Sequence, residues 1–309
     1  MTNASIPAGA GAVPPNRRAL IVGAVLALVT VTIWAIWIVG TRQAVTVDLP
    51  LGWVGMLRFG LPALVLLPWW WKVGLLPKGV DWRLIALMVA GSGAPFLVVV
   101  ATGMRFAEAA EIGVLLPGTM PLFVALLSAI VDREQFTASR LVGLALAVFA
   151  LLAIGGPALL SGQGAGFLLV PTGAFLWAVY TLAFRRANLE PVAAAGVIAA
   201  WSTILLLPLA IVQSPTDLLR AGPAVFAGQL LSQFVLSGVV ALVCYGAAVR
   251  MLGSSRAAIF SALSPALAAL IAIPWLGEIP TALTTAGIVL AVAGVALGSG
   301  AIAFGRRVR

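Results

Sequence analysis

Ten long apolar stretches run along the chain, separated by short polar connections. Each is close to the roughly 20 residues that a helix needs to cross a bilayer, and none shows the two-residue alternation of barrel strands. The pattern therefore predicts an all-α integral membrane protein with ten transmembrane helices. The predicted spans are 19–39, 52–71, 84–102, 109–130, 141–160, 164–184, 192–212, 226–247, 257–276 and 284–303.

The composition supports a membrane protein and narrows the chemistry. Hydrophobic residues make up 62% of the 309 positions and charged residues 9%, against about a quarter charged in soluble proteins. The chain has no histidine and one cysteine, Cys244, in an apolar stretch. Imidazole bases, imidazole metal ligands, disulfides and thiolate metal sites are therefore excluded, and we expect no metal and no cofactor.

The basic residues predict the orientation in the membrane. When the loops are assigned alternately to the two sides, fourteen of the 18 Lys and Arg residues fall on one side, only Arg42, Arg105 and Arg220 on the other, and Arg58 lies inside the second span. Cytoplasmic loops carry the excess of Lys and Arg, so both termini are predicted to be cytoplasmic. The net charge of +9 is spread over many loops, so no nucleic-acid partner is expected.

The two halves of the chain resemble each other. A shift of 144 positions aligns Pro121, Glu134, Thr137 and Gly143 with Pro265, Glu278, Thr281 and Gly287, and a shift of 143 aligns Trp34 with Trp177. Because each half has five spans, the second half enters the membrane from the opposite side. Such an inverted repeat is typical of secondary transporters, although channels also use it.

The repeat divides the chain into four predicted parts. Residues 1–18 form a disordered cytoplasmic tail, 19–160 the first five-helix repeat, 164–303 the second, and 304–309 a basic cytoplasmic tail.

Four segments carry a resemblance to a known family: WAIWIVGTRQ at 34–43, LRFGLPALVLLP at 57–68, FAEAAEIGVLLPGTMPLFVALLSAIVDREQFT at 106–137 and SRAAIFSALSPALAALIAIPWLGEIPT at 255–281. With its two five-span halves, the chain resembles EamA-type transporters of the drug/metabolite transporter superfamily. The resemblance implies a ten-helix fold with cytoplasmic termini, a central cavity between the halves, and export of metabolites, amino acids or drugs from bacteria. Glu108 and Glu111 depart from the family pattern, since its fourth helix usually begins with small, polar or apolar residues.

Arg58 is the first candidate for a functional residue, because it lies about 9 Å inside the second span. A charge at the centre of a membrane helix costs about 2.5–3.5 kcal/mol, so Arg58 should face a partner or a wet cavity, where it would attract carboxylates. Its alternatives are the outer interface or a structural ion pair. The nearest acids in the predicted arrangement are Glu108 and Glu111, which also suit the positive end of the fourth helix. If transport is coupled to protons, Glu111 is the candidate carrier, because the chain has no histidine.

Aromatic and proline residues supply the other candidates. Trp34 and Trp37 share a helix face, as do Trp177 and Tyr180 at the matching place in the second half, and we expect these four to line the substrate path or to anchor the helices. Pro121 and Pro265 fall inside the fourth and ninth spans, where each would remove a helical hydrogen bond and act as a hinge or a tolerated kink.

Two smaller patterns favour structural roles. Glu134 and Glu278 each precede a threonine, Thr137 or Thr281, that can cap the next helix. Gly294 and Gly298 form a small-xxx-small pattern that suits packing within the fold or a homodimer contact.

The sequence thus predicts a multi-pass protein of the bacterial inner membrane that exports small metabolites, amino acids or drugs by alternating access and is not an enzyme. A passive channel of the same fold stays open, and an intramembrane enzyme is the weaker alternative because the chain lacks histidine and a paired set of acids. No Walker-type phosphate loop is present to energise transport. The expected partners are a small-molecule substrate and the lipid bilayer.

Overall fold

The computed structural model describes residues 17–133, 137–160, 164–252 and 260–298, and in these ranges the chain is helical and without strands. The helices are α1 Arg17–Thr46, α2 Leu51–Val65, α3 Leu67–Val73, α4 Trp82–Gly103, α5 Ala109–Leu115, α6 Met120–Asp132, α7 Ala138–Leu160, α8 Gly164–Ala187, α9 Pro191–Val212, α10 Asp217–Arg220, α11 Pro223–Leu252, α12 Ser264–Leu276 and α13 Ala282–Gly298.

Each predicted span overlaps a helix or a pair of consecutive helices. Within the described ranges, seven helical stretches are long and apolar enough to cross a membrane, and the bent α2–α3 pair makes eight. The helices α12 and α13 are apolar but shorter. The parts of the last two spans at 257–259 and 299–303, and most of both predicted tails, lie outside the described residues. The described residues thus form an all-helical fold whose helices suit a membrane, and the count of ten spans stays a prediction.

Several helices are interrupted near the middle of the fold. The pair α2–α3 bends by 74° where Pro68, in the first turn of α3, cannot continue the preceding helix. Helix α2 also contains a π-helical turn at Met56–Gly60, and α11 contains another at Leu230–Val240. π-Helical turns are rare and are often found at functional sites.

The fourth predicted span is broken into α5 and α6, which are joined by a turn at 116–119. Pro121 lies in the first turn of α6, and Pro265 lies in the first turn of α12. Both prolines thus stand where their predicted spans are interrupted, and the expectation that each removes a hydrogen bond inside a helix is wrong. A proline in the first turn removes no intrahelical hydrogen bond and favours helix initiation, so these two residues mark helix starts.

The predicted threonine caps are confirmed. Thr137 Oγ1 accepts a hydrogen bond of 3.3 Å from the backbone N–H of Arg140, and Thr281 Oγ1 accepts one of 3.1 Å from that of Thr284. Each satisfies an N–H that has no partner inside its helix. Glu134 lies outside the described residues.

The first helix of each half packs against helices of the other half, and the repeat relates the two sets of contacts. Helix α1 packs on α11 and α12, and its counterpart in the repeat, α8, packs on α4 and α6. Helix α7 packs along α13, which is its own counterpart. Small residues permit the close approaches: a Cβ on Gly40 would lie 2.6 Å from Ser232 Oγ, and one on Gly294 would lie 2.9 Å from the Gly143 carbonyl oxygen. Gly294 therefore serves packing within the chain.

Candidate functional site

A cavity of about 240 Å³ opens among α1, α2, α4, α6, α8 and α11. Both halves of the chain contribute to its wall, which is mainly aromatic and aliphatic. Five of the residues singled out in the sequence line it: Trp34, Trp37, Arg58, Pro121 and Trp177. Sequence reasoning missed Phe96, Tyr245 and Ser264, which also line it.

The remaining candidates lie outside this wall. Tyr180 packs edge-on against Trp177, with ring centroids 5.2 Å apart, and so supports a wall residue from behind. Pro265 follows the lining residue Ser264 directly, and its Cα is close to Gly113 of α5. Glu108 and Glu111 lie at the start of α5, away from the cavity.

Arg58 projects from the π-helical turn of α2 into the cavity. Its guanidinium carbon lies 5.4 Å from the ring centroid of Trp37 and 5.9 Å from that of Phe59. Nη1 is buried without a hydrogen-bond partner in the described chain. Two ring faces attract a cation, by about 0.5–2 kcal/mol each, but they provide no acceptor for its N–H groups.

The predicted ion pair between Arg58 and Glu108 or Glu111 is therefore absent among the described residues. The physical reason is that the two acids cap the N-terminus of α5. Glu111 Oε2 accepts a hydrogen bond of 3.0 Å from the backbone N–H of Glu108, which completes a capping interaction at the positive end of the helix.

An ion pair that the sequence did not predict joins Arg42 to Glu278. Arg42 Nε donates to Glu278 Oε1 over 2.9 Å, and both side chains are about 15% exposed. Arg42 Nη1 also donates to the Met104 carbonyl oxygen, and Glu278 Oε2 accepts from the backbone N–H of Ala109 over 2.6 Å. This group, the Arg42–Glu278 latch, ties the end of α1 to the start of α5 and to the α12–α13 connection. The one signal in the sequence was that both residues fall on the side with few basic residues.

A buried chain of amide groups holds Trp37 in place. Trp37 Nε1 donates to Gln233 Oε1 over 2.9 Å, and Gln233 Nε2 donates to Thr41 Oγ1 over 3.0 Å. Gln229 Nε2 donates to the Gly40 carbonyl oxygen over 2.7 Å. Both glutamines are fully buried between α1 and α11. The signal that could have found them is two glutamines four residues apart in an apolar stretch.

Positions related by the repeat line the same cavity. Trp34 and Trp177 do so, and the shift of 144 positions also relates Pro117 to Ser261 and Met120 to Ser264, all four of which are in the wall. Ser264 is fully buried, and its hydroxyl has no hydrogen-bond partner in the described chain. The cavity is thus built from corresponding segments of the two halves.

The described residues contain no group of three His, Cys, Asp or Glu side chains that could hold a metal ion. The arrangement of one cation, a buried hydroxyl and several aromatic rings is suited to reversible binding of a small molecule.

Comparisons with known proteins point to a membrane transporter. A family model described as the EamA-like transporter family matches residues 21–156 and again 164–300. The chain is 28% identical over 229 residues to a probable terminal-alkyne amino-acid exporter of Streptantibioticus cattleyicolor, a match that covers 72% of this chain and 74% of the relative. It is 26% identical over 256 residues to an uncharacterised transporter of Archaeoglobus fulgidus, covering 78% and 84%. A solved crystal structure shares the fold, with a TM-score of 0.60 and 18% identity over 91% of this chain and 96% of that one.

Proposed function

The chain belongs to the EamA-like transporter family of the drug/metabolite transporter superfamily, and we propose that it exports small metabolites across the bacterial inner membrane by alternating access. The family and the names of its relatives point to a membrane transporter and not to an enzyme. The observation that carries the proposal is the cavity between the two halves, whose wall includes residues related by the repeat.

The proposed mechanism depends on two inverted five-helix repeats. Two observations support them. The family model matches twice along the chain, and the repeat relates the packing of α1 on α11 to the packing of α8 on α4. When similar halves face opposite sides of the membrane, the two access states are built from comparable contacts and have comparable energies. Small differences in binding can then shift the population between the states.

The Arg42–Glu278 latch is proposed to close the outer end of the cavity. It lies about one turn of α1 beyond Ile38, which lines the cavity. With the predicted cytoplasmic N-terminus, this end of α1 faces outward. Opening to the outside would break the ion pair and separate α1 from the start of α5.

The cavity volume favours small cargo. At about 240 Å³ it falls below the roughly 300–1,000 Å³ of pockets for drug-sized ligands. Small metabolites are therefore proposed in preference to large drugs.

The experiment compares cells that express the wild type with cells that express Val124→Trp or Ile130→Trp. Both residues are on α6, but Val124 lines the cavity and Ile130 is 68% exposed on the outside of the protein. Intracellular and medium concentrations of a broad metabolite panel are measured at matched protein levels. We expect the wild type and Ile130→Trp to lower the internal concentration of particular metabolites and raise it in the medium, while Val124→Trp does not. Equal profiles for the wild type and Val124→Trp would reject transport through this cavity.

A further inference from the structure

Two residues that line the cavity, Arg58 and Ser264, have buried hydrogen-bonding atoms without a partner in the described chain, Arg58 Nη1 and Ser264 Oγ. They come from different halves of the chain. Leaving a buried polar group unpaired costs about 1–3 kcal/mol, and more when the group is charged. A bound acceptor oxygen at the Arg58 guanidinium would recover this loss, whereas an apolar ligand would not.

Two other polar groups of the wall are already engaged. Trp37 Nε1 donates to Gln233, and the Thr181 hydroxyl donates to the Trp177 carbonyl oxygen of its own helix. Arg58 is thus left as the charged group that a ligand meets.

No carboxylate is among the described residues that line the cavity. The acids nearest to this end of the fold are committed elsewhere: Glu111 caps α5, and Glu278 pairs with Arg42. A ligand ammonium in the cavity would therefore find no opposite charge, and it would be repelled by Arg58 in a medium of low dielectric constant.

Aromatic rings form the rest of the wall. Trp34 and Tyr245 lie with centroids 5.6 Å apart, as do Phe96 and Trp177. Such rings bury large apolar area and stack on planar groups. One face of Trp37 is occupied by Arg58, so the rings near the cation are best suited to a neutral apolar body.

We propose that the cavity binds organic anions with a single acidic group, an apolar or aromatic body and no ammonium. This inference rests on the proposed function, because it names the substrate class of the same cavity. The acidic group accepts from the Arg58 guanidinium, and the body lies against Trp34, Phe96 and Trp177. A monocarboxylate is thus preferred over the amino acid with the same skeleton.

The test is equilibrium binding to purified protein in detergent, with radiolabelled 3-phenylpropionate as the probe. Phenylalanine adds an ammonium to this skeleton, and phenethylamine carries the ammonium without the carboxylate. We expect saturable binding of 3-phenylpropionate, and about 10- to 100-fold weaker competition by phenylalanine, because its ammonium is left unpaired. Phenethylamine should compete more weakly still.

Variants assign the binding to Arg58. Arg58→Met should abolish binding, and Arg58→Lys should keep the preference for the carboxylate. Arg105→Met is the matched control, because Arg105 is half exposed and pairs with Asp48 outside the cavity. All variants are first required to elute as monodisperse protein.

The outcomes separate this inference from the proposed function. Equal competition by phenylalanine, absence of saturable 3-phenylpropionate binding, or full binding by Arg58→Met would each overturn the substrate class. Export by wild-type cells that is lost in Val124→Trp would still support transport in those cases. Conversely, the predicted binding profile with no metabolite change in cells would reject export and leave the ligand class intact.

Discussion

Arg42 and Glu278 form a 2.9 Å ion pair although 236 positions separate them in the chain. The same glutamate accepts from the backbone N–H of Ala109, so one carboxylate holds three segments together. The pair is partly buried, which reduces screening by solvent and raises the cost of losing one partner.

We expect Arg42→Met and Glu278→Gln each to lower the Tm of the purified protein, and the double variant to lower it no further than the more damaging single change. Residues that share one interaction show coupling energies of about 0.5–3 kcal/mol. The measurement is thermal unfolding of all four proteins in the same detergent. Arg220→Met is the control, because Arg220 is 76% exposed and its pair with Asp217 should contribute little. Additive losses of Tm would show that Arg42 and Glu278 act independently.

Glu111→Gln separates the structural role of Glu111 from its predicted role as a proton carrier. Glutamine can accept the hydrogen bond from the Glu108 backbone as glutamate does, so we expect an unchanged Tm. Glutamine cannot carry a proton, so transport should lose its dependence on a pH gradient. The measurement is transport in vesicles with and without an imposed gradient. A gradient dependence equal to that of the wild type would remove Glu111 from the coupling mechanism.

Gln233→Leu should destabilise the protein by about 1–3 kcal/mol, because it leaves the Trp37 indole N–H and the Thr41 hydroxyl buried without their partner. A lower Tm is the readout. Gln43→Leu is the control: the Gln43 side-chain oxygen is buried without a hydrogen bond in the described chain, so its removal should cost little. Similar Tm values for both variants would mean that the hydrogen bonds of Gln233 contribute little to the stability of the protein.

Replacing Pro121 and Pro265 together by alanine should slow turnover more than it lowers the amount of protein in the membrane. Each proline begins a helix, α6 or α12, and an alanine with its N–H would allow the preceding segment to continue into that helix. The break beside the cavity would then be less sharply defined. The measurement is the transport rate per molecule of protein. A normal rate would show that turnover does not depend on these two prolines.

Much of the arrangement around the cavity could be anticipated from the pattern of the chain. Hydropathy placed the helices, because roughly 20 apolar residues in a row have few alternatives to spanning a bilayer. The repeat paired Trp34 with Trp177, and both line the cavity. A charge as deep in a span as Arg58 was expected to face a partner or a cavity, and it lines the cavity.

What could not be anticipated depends on contacts between distant segments. Arg42 pairs with Glu278, and Arg58 forms no ion pair with Glu108 or Glu111 in the described chain. These outcomes are set by where loops meet, which periodicity does not report. The prolines were predicted as a hinge or a tolerated kink within a span, because hydropathy does not show that each begins a new helix. The glutamines beside Trp37 are visible as polar residues, but their hydrogen bonds follow only from the packing of α1 on α11.

The most direct test of the central claim is solute counterflow in proteoliposomes, with the metabolite that shows the largest export in the cell panel. Vesicles loaded with the unlabelled compound are diluted into a trace of the labelled one. An alternating-access carrier predicts that the labelled compound transiently accumulates above its equilibrium level with the wild type and Ile130→Trp, and that Val124→Trp gives no accumulation. A simple approach to equilibrium without overshoot, or equal flux through Val124→Trp, would contradict transport by alternating access through this cavity.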